Sequence, residues 1–474
     1  MGHFDNSVQS LNPAPQVAVS GLFTAGGAQA DSRRTEYHFD GTDFATYASG
    51  RHQLSFGVDI PDISRRGLDD FTNRAGTYFF AEAADYPATP ETYLLQSGQG
   101  HVAFREKVLC GFVEDNIRVR PNFSVYVGVR YYFQNYFHDD TNNFAPRISF
   151  AYAPTPKGKT VIRGGAGVFY DRTGPSPIGD LLHFNGVNLL RFIVEQPQYP
   201  VLPAELAATP TSVVTLDPRS QIPYALQYSI GVERQVTAKS TVNAVYIGNR
   251  GIGSFRSIDA NAPFGGATVR PDPALGQVRE IQSQGYLKGN ALELTFRGQA
   301  SKYFSGQVQY TLSRTRNNTG GITFFPGNSY DPAADWGLSD NDRLHKFDLM
   351  ASSQPTRFFT LGLALSLYAG KPVNITTGGD DNHDGILNDR PAGVPRNSMA
   401  GPGLIDLDLS VSHDFRLSKG KKEAKVISVA LNSFNLLNHP NYVAYVGTVS
   451  SPLFGRPVAA QPPRRMQFDV QFKF

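Results

Sequence analysis

The segments of this chain that alternate apolar and polar side chains are joined by connections that are short and long in turn, and few folds accommodate that rhythm. The last segment shows the unit plainly. Met466, Phe468, Val470, Phe472 and Phe474 hold one parity, while Gln467, Asp469, Gln471 and Lys473 hold the other. A period of two puts the apolar groups on one face of a strand and the polar groups on the opposite face. Taken alone, such a strand suits the edge of a soluble sheet or the wall of an outer-membrane barrel, apolar toward lipid and polar toward a lumen.

The unit recurs. After the turn Arg120-Pro121-Asn122, Phe123, Val125, Val127, Val129, Tyr131 and Phe133 alternate with Ser124, Tyr126, Gly128, Arg130 and Tyr132. Ile148, Phe150 and Tyr152 pass through Pro154–Lys159 to Ile162, Gly164, Ala166, Val168 and Tyr170. Further hairpins turn at Thr237–Ser240, Gln299–Tyr303, Gln354–Arg357 and Arg416–Glu423. Between them lie long connections, roughly 171–222, 249–289, 314–344, 369–402 and 435–465. Short periplasmic turns and long extracellular loops are the habit of a transmembrane barrel, and strands of about 9–11 residues match its tilted span.

The predicted fold is therefore all-β, a transmembrane antiparallel β-barrel of about 15 or 16 strands. It occupies residues 34–474, behind an irregular segment over 1–33. Strands are predicted at Thr35–Tyr47, Gln53–Ile60, Gly76–Glu82 and Val102–Val119, and the segment 83–100, with Pro87 and Pro90, is read as room for a short helix. An Arg or Lys facing lipid at mid-depth costs roughly 2–4 kcal/mol. Arg130, Arg163, Asp406 and Asp408 all take the lumen parity.

Composition agrees. There are 46 Gly, 33 Phe and 22 Tyr in 474 residues, a β-type usage, and no apolar run reaches the roughly 18 residues of a membrane helix. A net charge of +3 with no basic, aromatic-interleaved run gives no sign of nucleic acid. Cys110 is the single cysteine, so no internal disulfide or cysteine zinc site can form. Met1–Asn6 shows neither a basic nor an apolar signal region, so the chain is expected either to be soluble or to lack its true beginning.

Several stretches resemble TonB-dependent outer-membrane receptors, especially the Oar-like branch with a carboxypeptidase-regulatory-like domain. They are Phe112-Val113-Glu114-Asp115-Asn116, Gly128-Val129-Arg130-Tyr131, Asn142-Asn143-Phe144-Ala145-Pro146-Arg147 and Val161-Ile162-Arg163-Gly164-Gly165. Asn388-Asp389-Arg390-Pro391, Phe434–Pro440 and the terminal Phe474 follow in the same order. The resemblance implies a barrel of about 22 strands around an N-terminal plug, energised through a TonB box. Set against it, the chain is expected to be the C-terminal barrel portion, without plug or TonB box. Its expected role is solute uptake across the outer membrane, with outer-membrane lipid as surroundings and TonB as partner only through an upstream plug. The other reading is a structural or adhesive surface barrel.

One loop carries a candidate chemistry. In Asp380-Asp381-Asn382-His383-Asp384-Gly385-Ile386-Leu387-Asn388-Asp389, oxygens at Asp380, Asn382 and Asp384 followed by Gly385 match the opening of a calcium loop. Pro391 stands where the bidentate Glu belongs, so Asn388 or Asp389 would close the shell. The plainer reading is a solvated Asn/Asp/Gly turn. No catalytic residue is expected. His345, Asp348 and Ser352 form a hydrolase-like set, but a spacing of three sends His345 and Asp348 to opposite faces of a strand.

Overall fold

A computed structural model of the chain describes every residue except 1, 138, 156, 202, 266, 302, 357, 418–424 and 474. Among the described residues, sixteen strands run up and down in one antiparallel sheet, each bonded to its neighbours in this order. They are β1 (Gly2–Val8), β2 (Ser32–Ser49), β3 (His52–Asp70), β4 (His101–Arg120), β5 (Phe123–Gln134), β6 (Phe144–Tyr152), β7 (Thr160–Tyr170) and β8 (Tyr224–Thr237). The sheet continues through β9 (Ser240–Asp259), β10 (Val278–Ser301), β11 (Phe304–Asn317), β12 (His345–Ser353), β13 (Thr360–Tyr368), β14 (Leu404–Arg416), β15 (Val426–Phe434) and β16 (Arg465–Lys473). Among the described residues no pairing joins β1 to β16, so the wall is an open sheet.

Directly opposed residues of an antiparallel pair share a face. Val113 opposes Val129, and Val127 opposes Ile148, which sets one continuous apolar face across β4, β5 and β6. That face is not covered by a second layer: Ile148 is 55% exposed, Phe468 67% and Phe472 61%. Left in water, each such side chain would forgo roughly 1.5–3 kcal/mol of burial. Hydrocarbon supplies that environment and a soluble core is ruled out. No helix of the described chain is long and apolar enough to cross a membrane. The opposite face is polar, with Arg130 bound to Glu114 at 2.8 Å and Asn432 donating to Asp469 at 2.6 Å. A polar exception outside, His52 against Asp115 at 2.6 Å, sits beside the β2–β3 turn, at the membrane's edge.

Three expectations are corrected. The segment 1–33 is not irregular: it holds β1 and the strands Gln16–Val19 and Phe23–Gly26. The segment 83–100 holds no helix but the strand Thr92–Gly98, which pairs with Thr77–Phe80. Some strands also exceed the predicted length. β10 has 24 residues and β9 has 20, because they continue past the membrane to carry the loops, so the 249–289 connection shrinks to 260–277. Phe474, Arg357, Pro156 and most of the Arg416–Glu423 turn lie outside the described residues.

The apolar cores lie in the loops. Phe23–Gly26, Gln16–Val19, Thr77–Phe80, Thr92–Gly98, Leu189–Glu195 and Thr211–Leu216 form a ribbon that joins β10 through a parallel pairing at Val278–Ile281. Val19, Tyr78, Phe80, Tyr93 and Val194 pack one core; Phe184, Leu189, Val214 and Ile281 pack another. Ser451 Oγ donates to Gly21 O at 2.6 Å and Ser450 Oγ to Ala81 O at 2.9 Å, so the last long loop grips the first ones.

Candidate functional site: the extracellular mouth

The long loops meet in a polar layer above the wall, and the acidic loop lies inside it. Asp380, Asp384 and Asp389 are buried. Asp380 accepts from the N–H of Asp384 at 3.0 Å and of Gly385 at 2.8 Å; Gly385 holds φ +82°, a conformation glycine adopts without a Cβ penalty. Asn382 Oδ1 accepts from the same Asp384 N–H, and Asp384 Oδ1 from that of Ile386 at 2.9 Å. Asp389 accepts from the N–H groups of Asp381 and Asn382. Asn388 departs from the set: its Nδ2 donates to Phe325 O and Pro326 O in the β11–β12 loop. Four of the five candidate ligands thus serve one turn and the fifth ties that turn to a neighbour. Among the described residues no group of three or more His, Cys, Asp or Glu is disposed to hold a metal ion.

The electrostatics of this turn are unfavourable to its own charge. Burial, followed by the nearby Asp380 and Asp389 carboxylates, pushes Asp384 up to about 8. Burial raises Asp389 to about 6 and raises Asp380 as well. A guanidinium lies beside the turn, bound to its backbone rather than to these carboxylates. Arg270 donates to Asp259 Oδ2 at 2.6 Å, Asp384 O at 2.8 Å, Asn261 O at 3.2 Å and Glu195 Oε1 at 3.2 Å. It therefore fastens three loops together. Glu195 is raised by burial despite this contact.

A second set lines the inner mouth. Arg279 reaches Asp180 at 2.8 Å and Ser257 Oγ at 2.8 Å, which ties the helix α1 (Ser176–His183) to the upper parts of β10 and β9. Arg191 lies 3.7 Å over the Phe184 ring; burial, then repulsion from Arg279, brings it down to about 10. Below, on the lumen face of β2, β3 and β4, Arg66 is 2% exposed and faces Glu36 at 2.5 Å, Asp62 at 2.7 Å and Glu106 at 2.8 Å. The Glu106 contact is ionic rather than a hydrogen bond, since its Oε2 finds no donor at a bonding angle. His38 bridges Glu36 and Asp62, and Arg34 and Arg172 cap the group. Sequence reading missed this cluster, though Glu36/His38 and Asp62/Ser64/Arg66 carry their polar groups at alternate positions, a usable signal.

The hydrolase-like set is dispersed. His345 Nδ1 meets Tyr310 Oη at 2.8 Å on the outer face, whereas Asp348 accepts from Tyr368 Oη and Ser366 Oγ on the inner one. Cys110 is buried on the lumen face, and burial accounts for its packing role.

Wall, polar lumen and loop-built mouth define the wall of an outer-membrane β-barrel. The chain belongs to the outer membrane beta barrel domain family, whose match covers residues 2–142, 132–395 and 388–467. Among solved structures it is similar to the outer membrane transporter YddB of Escherichia coli, with a TM-score of 0.66, 13% identity, and 100% of this chain against 59% of that one. It is similar to a mutant of the ferric enterobactin receptor PfeA of Pseudomonas aeruginosa, with a TM-score of 0.58, 13% identity, and 99% against 58%. It is also similar to the siderophore receptor PirA of Acinetobacter baumannii, with a TM-score of 0.56, 11% identity, and 100% against 59%. The chain spans somewhat over half the length of each. A search of the curated proteins finds no match.

Proposed function

We propose that this chain forms the barrel wall of a TonB-dependent receptor of the Oar-like branch, which takes a solute across the outer membrane. Plug and TonB box would be contributed by a preceding segment of the same polypeptide. The observation that carries this reading is the pairing of a polar inner wall with a mouth built from loops held by buried ion pairs. A lumen to be filled and an entrance to be gated need both. Among the described residues β1 and β16 each keep one edge without a strand partner, which supports a further segment in the whole protein, since exposed edges invite aberrant pairing unless covered.

The test is expression behind a signal peptide, alone and with the coding region directly upstream, in cells lacking their own receptors. Energy-dependent accumulation of a labelled solute only with the longer form is expected; ferric enterobactin, named for one structural neighbour, is the first cargo to try. Loops that bind a matrix while neither form accumulates any solute would replace uptake with the adhesive reading. The barrel itself is checked by gel mobility of boiled and unboiled membrane fractions.

We further propose that the turn Asp380–Asp389 takes calcium, with Asp380, Asn382, Asp384 and Asp389 turning from backbone acceptors into ligands and Asn388 anchoring the loop. The supporting observation is the excess of buried carboxylate over cation. Terbium luminescence displaced by calcium is expected in the wild type and lost in Asp380→Asn. No signal in the wild type leaves a plain turn.

A further inference from the structure

Three cations stand in one cross-strand row on the outer face of the wall. Arg250 of β9 is directly opposite Lys288 of β10, and Lys288 is directly opposite Arg316 of β11. They share the face of the apolar residues Leu292, Leu294 and Phe296. Like charges directly opposed destabilise a sheet. Among the described residues none of the three has a carboxylate partner. Arg250 binds only neutral acceptors, Asn249 O at 2.8 Å, Gly289 O at 2.9 Å and Asn290 Oδ1 at 3.2 Å. Asp342, on the loop after β11, is engaged by Arg314 of the same β11 face at 3.2 Å.

The height of the row identifies what neutralises it. Lys288 stands thirteen residues above Ser301, the lower end of β10. At about 3.4 Å per residue and a tilt near 40°, this is roughly 34 Å along the membrane normal, above an apolar band of roughly 25 Å. That is the headgroup layer of the outer leaflet. A second group without a carboxylate ion pair among the described residues lies at the same level: Arg65 is directly opposite Arg105, beside Lys107, which is also thirteen residues above the lower end of its strand, Arg120. Arginine forks and lysine ammonium groups at this depth match phosphate oxygens.

We propose that Arg250, Lys288 and Arg316 form a binding surface for the phosphate groups of an outer-leaflet phosphorylated lipid. The inference rests on the membrane wall and is independent of solute uptake. The full chain is purified in neutral detergent doped with lipid A or with phosphatidylcholine, and retained lipid is measured by native mass spectrometry. Wild type is expected to retain lipid A in preference to phosphatidylcholine. The double variant Lys288→Gln/Arg316→Gln is expected to lose retention roughly thirtyfold, two cations each contributing the usual membrane-surface increment. Lys288→Arg, which keeps the charge, and Arg163→Gln, a lumen cation, are expected to retain the lipid. Equal retention of both lipids by the wild type, an equal loss in Arg163→Gln, or displacement of lipid A by an equimolar amount of inorganic phosphate would each overturn the proposal.

Discussion

Replacing Asp384 by Asn should tighten the extracellular loops, by more as pH rises from about 4 to about 8. In the folded loop its carboxyl titrates near 8 rather than near 3.8, because it is buried beside Asp380 and Asp389. The sign follows from linkage: a raised acid pKa leaves the fold unpenalised below the unfolded value and costs it stability as pH climbs to the folded value. About four units at 1.36 kcal/mol each make a cost on the order of 5 kcal/mol once the group is ionised, above about pH 8. Asn removes that charge and can still accept from the Ile386 N–H through Oδ1. It disturbs the long contact from Asn382 Nδ2 to Oδ2, 3.3 Å, a loss of about 1 kcal/mol or less. The assay is hydrogen exchange at the Asp384, Gly385 and Ile386 amides in metal-free buffer, corrected for intrinsic rates. Wild-type protection should fall between about pH 4 and pH 8, whereas Asp384→Asn should lose less and fall little further above about pH 6, where Asp389 has ionised. Calcium should restore protection to the wild type and leave the variant unchanged. A variant that is looser than wild type above pH 8 without metal would refute the electrostatic reasoning.

Other substitutions separate loop, lumen and lipid face. Arg270→Met strands Asp259 and Glu195 in the interior, and roughly 3–5 kcal/mol of local stability should go. Limited proteolysis should then cut the loops joining β9 to β10 and β13 to β14 while the wall survives. Arg66→Met removes the shared partner of Glu36, Asp62 and Glu106; a similar loss should lower the temperature of the boiled–unboiled mobility shift. Ile148→Arg, on the outer face at mid-wall, should cost about 2–4 kcal/mol in urea unfolding from vesicles, and Arg163→Ala, on the inner face, less than about 1 kcal/mol.

The wall was legible because its information is local. Phe123 to Phe133 names its lipid face by parity alone, and Pro121-Asn122 marks the turn beneath it. The loop layer was not, because its partners are remote. Gln16–Val19 is four residues long and finds its parallel neighbour at Thr77–Phe80, and Thr92–Gly98 follows two prolines that suggested a helix start. The acidic turn was visible as a motif within ten residues, but nothing near it announces that Arg270 reaches Asp384 O across more than a hundred positions. The cation row was equally hidden, since Arg250, Lys288 and Arg316 become neighbours only through the register of three strands.

Single cysteines placed at each position from Phe123 to Phe133, in a Cys110→Ser background, and spin-labelled in a bilayer would report the solvent on each face of β5 directly. A membrane wall requires collision with dissolved oxygen at Val125, Val127, Val129 and Tyr131, and with a water-soluble nickel chelate at Ser124, Tyr126, Gly128 and Arg130. Labels at both parities shielded from both reagents, or the chelate reaching Val127 and Val129, would mean that no lipid touches this face.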